Sequence, residues 1–424
     1  MTTYAAPSPE EIRALIRERN NWGRWGADDE LGALNLITPE KRVQAASLVR
    51  SGRSVSLSRD VPTRPGPGNP MPAQHWLRTL PSPGGAGGAI DYYGFVFHGY
   101  VMTHLDALCH VWDGDGMWNG RDPNREVTSN GARFGAIDKW RAGITTRGVL
   151  LDVPRFRGAP HVTIETPVHA DELEAIAAAQ GVSIGPGDAL CVYSGRESWQ
   201  AANPAWSGYA PPSPGLHASC LKFLREHDVS VLVWDMMDAA PNEYGLPWSV
   251  HAAIFAYGVG LVDNSLLQPL AEACAAEGRY EFMLTLAPLP VVGGTGSPVN
   301  PIALFWPALG CGRRRRSPGM LRQGAPSSNS SAVCTRWHFW QMRPTAIWIQ
   351  SCRDCCGVVS TFASDTAITV ASERYEDGAS RVSAFFLATR SRVDQEPDLA
   401  GRQKAPGEAD RSAGARVNAL SAGD

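Results

Sequence analysis

The chain has 424 residues, is 43% hydrophobic and 19% charged, and carries a formal net charge of −3. That composition excludes disordered, collagen-like and disulfide-scaffold proteins, and the length suffices for one large domain or two of ordinary size. It also offers no basic surface for nucleic acid and no run near the ~20 apolar residues that span a membrane, so neither is an expected partner. The first thirty residues lack an apolar segment behind a basic start, so no secretory signal is expected and the expected compartment is the cytoplasm. Nine cysteines without regular pairing fit reduced thiols.

Ser8-Pro9-Glu10-Glu11 predicts a helix start, with Ser8 as cap and Glu11 at the capping-box position, and Ile12, Leu15 and Ile16 continue as an apolar stripe. Arg53 to Arg59 alternates as a strand, and Tyr92 to Val101 is rich in aromatics and valine, also strand-like. Gly148 to Val153 predicts a buried strand, and Asp171 to Gln180 a helix stopped by Gly181. A turn at 185–188 precedes a strand over Ala189 to Tyr193. Helix His217 to His227 feeds strand Ser230 to Trp234. Val250 to Tyr257 and Leu266 to Ala276 predict helices, and Tyr280 to Ala287 a strand. Alternating helices and strands argue for an α/β fold.

Composition changes after about residue 307. Residues 1–307 carry a net charge of −8 and 308–424 a net charge of +5, and five of the nine cysteines fall in the second stretch. It holds Arg313 to Arg316 and a Ser/Asn-rich run, with no sustained helical pattern and no turn-bounded strand series. The expected organisation is therefore an ordered domain over 1–307 and an Arg-rich, poorly ordered extension over 308–424. The extension has the look of read-through or out-of-frame translation; a basic interaction tail is the alternative. Cys352, Cys355 and Cys356 lack a second pair at zinc-finger spacing.

The densest group of metal-competent side chains is His98 to His110, with three histidines and one aspartate in thirteen residues. His98, His104, Asp106 and His110 share even parity, so an extended segment would project all four to one face. His104 and Asp106 would then lie about 6–7 Å apart along a strand and share one cation. Imidazole nitrogen with carboxylate oxygen suits Zn²⁺, Mn²⁺ or Fe²⁺. Half-buried, hydrogen-bonded core histidines are the alternative. Asp235 and Asp238 follow a buried strand, where they would serve a site or cap the next turn. The glycine-rich Gly293 to Ser297 reads as a turn or pocket wall, lacking the ending of a phosphate loop. Gly84 to Gly88 reads as a flexible loop over the site. Cys109 lies in no pattern that makes it a nucleophile.

This segment resembles the H-x-G-T-H-x-D-x-P-x-H signature of the metal-dependent cyclase/kynurenine formamidase family. Thr103, His104, Asp106 and His110 match; Tyr100, Met102 and Leu108 replace the family's first His, Gly and Pro. Asn21-Trp22-Gly23 through Asn35 is similar to the family's N-terminal segment, and Gly293 through Pro301 to its closing loop. The resemblance implies a swivelling β/β/α, cyclase-like α/β domain with a mixed sheet flanked by helices, in a homodimer or larger homo-oligomer. It implies His104 and Asp106 as ligands of a divalent metal ion, Zn or Mn, and His110 as catalytic acid/base. His98 stands as candidate for the missing ligand, and His251 and Asp263 occupy the places of a later His and acid. Thr103 would orient a ligand. The implied activity is hydrolysis of a C–N bond in an aryl-formamide (N-formylkynurenine-like) or a small cyclic amide (isatin-like) by metal-activated water. Tyr92, Tyr93, Phe95, Phe97, Trp112 and Trp118 are candidates to stack on such a substrate. Two other readings are a metal-dependent cyclase or dehydratase acting on a polyketide-like carbonyl, and a metal-free binding protein.

Overall fold

A capping box opens the first helix: Ser8 Oγ accepts from the Glu11 N–H, and the Glu11 carboxylate accepts from the Ser8 N–H. The computed structural model describes residues 6–208 and 211–305, and beyond them only the strands Gln341–Met342, Thr345–Ala346, Val359–Ala363, Thr366–Arg374 and Ser380–Ala384. The chain divides into two units near residue 316. In the second, the last three strands form an antiparallel sheet and the first two a short ribbon. All other expectations for 308–424 lie outside the described residues.

In the first unit the elements follow in chain order. The first part holds α1 (Pro9–Arg17), α2 (Pro39–Ser47), β1 (Ser54–Ser56), β2 (Gln74–Pro81), β3 (Gly87–Gly94), β4 (His104–Asp106), α3 (Pro123–Glu126), β5 (Val127–Thr128) and β6 (Gly131–Ala132). The second part holds β7 (Ile144–Asp152), α4 (Val153–Arg157), α5 (Ala170–Gln180), β8 (Ala189–Tyr193), α6 (Arg196–Ala202), α7 (Cys220–Glu226), β9 (Val231–Trp234), α8 (Ala253–Tyr257), β10 (Gly260–Asp263), α9 (Gln268–Glu277), β11 (Glu281–Leu286), β12 (Gly296–Pro298) and β13 (Ile302–Leu304). Nine strands form one mixed sheet in the order β1-β13-β11-β7-β8-β9-β10-β4-β12. β7, β8, β9 and β10 run parallel, and their partners on either side run antiparallel.

The parallel strands read as continuous apolar runs because both faces are covered. On one face lie α1, α5, α7 and α8, bringing Ile12, Leu173, Leu221 and Ile254 against Leu151, Leu190 and Leu232. On the other, α9 and the rings of Trp140, Phe282 and Phe305 pack on Leu150, Cys191 and Val233. A side chain at position 148 would clash with the Phe282 ring, which requires the glycine found in β7. Gly181 and Gly278 end α5 and α9 in the left-handed conformation that glycine adopts without strain.

The structure corrects three elements. The strand expected over Tyr92 to Val101 stops at Gly94, so His98 is on a loop rather than on a strand shared with His104. The helix expected from His217 begins only at Cys220, because His217 Nδ1 accepts from the Ser219 N–H at 3.1 Å and holds a turn there. Gly84 and Gly85 form the tip of an exposed two-stranded ribbon made by β2 and β3.

Arg24 ties the N-terminal segment to the end of α7 by a two-toothed pair with Asp228, at 2.6 and 2.8 Å. The guanidinium hydrogen bond holds the Asp228 carboxyl below its usual pKa. A carboxyl depressed in the folded state stabilises above its unfolded pKa of ~3.9, and the effect is lost as pH falls through the folded value. Asp228→Asn keeps the left-handed backbone that Asp228 adopts. It is expected to cost about 0.5 kcal/mol at pH 7 and progressively less as pH falls below ~3.9, in urea unfolding across a pH series.

Candidate metal centre

β4 lies between β10 and β12, and its register sets His104 opposite Asp263 and Asp106 opposite Leu261. Residues facing one another on paired strands project to one face, as do residues two apart on a strand. His104, Asp106 and Asp263 therefore converge, all buried. His104 Nε2 lies 3.4 Å from Asp106 Oδ1 and 4.0 Å from Asp263 Oδ2.

His110 sits on a turn just past β4, its N–H donating to the Ala107 carbonyl, and its Nε2 is 3.7 Å from Asp106 Oδ1. His98 arrives on the preceding loop. Its ring stacks on that of His110 with centroids 3.9 Å apart, its Nδ1 is 3.0 Å from Asp106 Oδ1, and its Nε2 pairs with Thr295 Oγ1 at 3.0 Å. Two sets of donor atoms result, His98–Asp106–His110 and His104–Asp106–Asp263, each within 4.8 Å and sharing Asp106. His251 stands beside the second set. Its Nε2 is 3.2 Å from Asp263 Oδ2, and its Nδ1 faces the Asp238 carboxylate. Tyr100, at the place of the family's first His, engages its backbone carbonyl with Arg196.

The donor chemistry fits a divalent cation. Asp106 Oδ2 is buried without a hydrogen-bond partner, and Oδ1 faces only the imidazole nitrogens of His98, His104 and His110. A buried carboxylate with no donor is costly, and a cation removes that cost. The His104 Nδ1 proton goes to the Met102 carbonyl at 2.8 Å, so Nε2 presents its lone pair to the site. Burial pushes the Asp106 pKa up, but the imidazoles of His110, His104 and His98 outweigh it and hold the carboxyl below the usual range. Burial also pushes His110 down to about 4, which leaves it neutral at pH 7. At His251 burial is outweighed by Asp238 and Asp263, which raise its pKa well above the ordinary value.

The loop carrying His98 is pinned from behind. Asn264 Nδ2 donates to the carbonyls of Gly99 and Met102, and its side-chain oxygen accepts from Arg196. Arg196 is buried, bonds the carbonyls of Tyr100 and Asp235, and is pushed down to about 9 by burial, still charged at pH 7. The Asp235 carboxylate in turn accepts from the N–H groups of Ser194, Gly195, Arg196 and Met236. Asp238 faces His251 and accepts from the Val250 and His251 N–H groups.

Several expected roles fall elsewhere. Thr103 Oγ1 donates to the Asn264 carbonyl and accepts from the Arg59 N–H, so it fixes backbone rather than a ligand. Trp118 is buried with its N–H on the Asp29 carbonyl, a core residue. Tyr92 and Tyr93 lie on the exposed ribbon. Phe97 contacts the rings of His98 and His104, and Trp248 that of His251. Cys109 is pushed up to about 12 by burial, no nucleophile at neutral pH. Arg196 and Asn264 went unread in the sequence, and Thr295 was read only as part of a turn or pocket wall. Asn264 alone carried a signal, since Asn after a strand readily takes the left-handed backbone found there (φ 55°).

A profile described as a putative cyclase matches residues 54–241. No curated protein matches the chain. The chain is similar to a solved structure described as a novel cyclase, at 31% identity and TM-score 0.60, covering 67% of this chain and 99% of that one. It is also similar to isatin hydrolase A from Labrenzia aggregata (16% identity, TM-score 0.44, covering 62% and 96%). A third likeness is to a predicted metal-dependent hydrolase from Bacillus stearothermophilus (14%, TM-score 0.38, covering 59% and 97%). Among the described residues no helix is long and apolar enough to cross a membrane. With a mixed sheet flanked by helices and that 31% identity along nearly the whole of the novel cyclase, the chain belongs to the putative cyclase family.

Proposed function

We propose that this protein is a metal-dependent hydrolase of a C–N bond in a small aryl-formamide or cyclic amide, with zinc or manganese as the metal. The observation that carries the reading is the fully buried Asp106 carboxylate, whose Oδ2 has no hydrogen-bond partner and whose Oδ1 is ringed by His98, His104 and His110. His104, Asp106, Asp263 and His98 would hold the ion, with His251 beside Asp263. When bound, such an ion supplies Lewis acidity, polarising a carbonyl and acidifying water.

The chain's own residues supply the rest. His110 is neutral at pH 7 and retains partial access to solvent, so its imidazole accepts a proton from water and returns it to the departing nitrogen. Its stacking on His98 fixes the ring plane for that transfer. Phe97 and Trp248 flank the imidazoles, and Trp112 lies exposed two residues past His110. These rings suit a flat aromatic substrate.

The test pairs metal quantification with N-formylkynurenine and isatin as substrates. Acid release that requires the metal supports the reading, and a metal-loaded protein inert toward both overturns it. His110→Ala is expected to lower turnover by roughly 10²–10⁴-fold with metal retained. Loss of metal in that variant would instead make His110 a ligand, a role open to it as a member of the first donor set.

A further inference from the structure

His98 reaches the centre on a loop, so the ladder that aims His104 and Asp106 does nothing to aim it. Stacking on the His110 ring, with planes 5° apart, fixes the plane of the imidazole but not which edge faces the site. The terminal torsion of a histidine is broad and roughly two-fold. A half-turn about it would keep the stack and bring ring carbon to Asp106 in place of Nδ1. The proton must be placed as well, because a neutral imidazole offers a lone pair on one nitrogen only when the other carries the hydrogen.

Thr295 and Gly296 build the seat that does both. Gly296 opens β12 and faces Asp106 of β4 in register, and the Ala107 N–H donates to the Thr295 carbonyl at 3.0 Å. The ladder that places Asp106 therefore also places the Thr295 hydroxyl. Thr295 Oγ1 meets His98 Nε2 at 3.0 Å, while His98 Nδ1 lies 3.0 Å from Asp106 Oδ1. By accepting the Nε2 hydrogen, the hydroxyl leaves the Nδ1 lone pair turned to the centre. Gly296 makes room for the ring, since a Cβ there would stand 2.9 Å from His98 Cε1 and 3.2 Å from the Phe97 ring. His104 is held the other way round, with Nδ1 on the Met102 carbonyl and Nε2 turned inward. The two imidazoles thus present opposite nitrogens, and each needs its own partner behind it.

We infer that Thr295 is a positioning residue of this centre, its hydroxyl fixing both the edge and the tautomer with which His98 meets the ion. The inference rests on the proposed reading of the centre as a metal site. Competition titration of zinc, and of manganese, against a chromogenic chelator is the test, with circular dichroism of each variant. Thr295→Val keeps the shape of the side chain and deletes the hydroxyl. Metal affinity is expected to fall about 10–100-fold, as for other residues that orient ligands, with unchanged circular dichroism. Thr295→Ala is expected to fall by the same factor. Thr295→Ser keeps the hydroxyl and is expected to bind as the wild type does, a rescue that a merely space-filling role would not require. Valine and alanine variants that bind as tightly as the wild type overturn the inference and leave the metal reading standing, and so does a serine variant that falls with them. A wild type that takes up neither zinc nor manganese overturns the reading of the centre, and the inference with it.

Discussion

Asp106→Asn is expected to remove both stoichiometric metal binding and turnover, the latter by at least roughly 10³-fold, because Lewis-acid stabilisation is worth several kcal/mol. Asp106 is the one residue common to the two donor sets, so no arrangement of the others replaces it. Asparagine keeps the shape of the side chain but not its charge. Elemental analysis and steady-state kinetics of metal-supplemented protein check both halves. A variant that keeps one ion per chain would remove Asp106 from the centre.

Arg196→Met is expected to destabilise by about 3–5 kcal/mol, or roughly 6–20 °C in melting temperature. The guanidinium satisfies three oxygens in the interior, on Tyr100, Asp235 and Asn264, and each would be left without its donor. Lysine is not expected to rescue, because a point charge cannot reach three acceptors set for a planar fork. Asn264→Gly tests positioning. Glycine accepts the left-handed backbone at φ 55° while deleting the amide that holds Gly99 and Met102. Metal affinity is expected to fall about 10–100-fold, as for other residues that orient ligands, and the melting temperature to fall as well, because the Gly99 and Met102 carbonyls and the Arg196 guanidinium each lose a partner. Competition titration against a chromogenic chelator reads the affinity.

Local chemistry made much of the fold legible. Ser8 and Glu11 announced α1, and the apolar run over Val149 to Leu151 announced a strand covered on both faces. The sequence misled where a long-range contact overruled propensity. Residues beyond Gly94 are rich in valine and aromatics, yet the carbonyls of Gly99, Tyr100 and Met102 are taken by Asn264 and Arg196, more than ninety residues away, and no strand forms. Of the ribbon only the stretch from Tyr92 read as strand, and only the surroundings reveal that nothing in the described residues covers it.

The amino-acid sequence by itself determined the α/β class and the pair His104 and Asp106, because period-two alternation is a local property and puts both on one face wherever the strand goes. Only the tertiary structure decided what joins them. Asp263 enters through the antiparallel register of β10 with β4, and His98 through a loop bent back by Asn264. Register and loop closure link residues far apart in the chain, and no spacing along the sequence encodes which of them will meet.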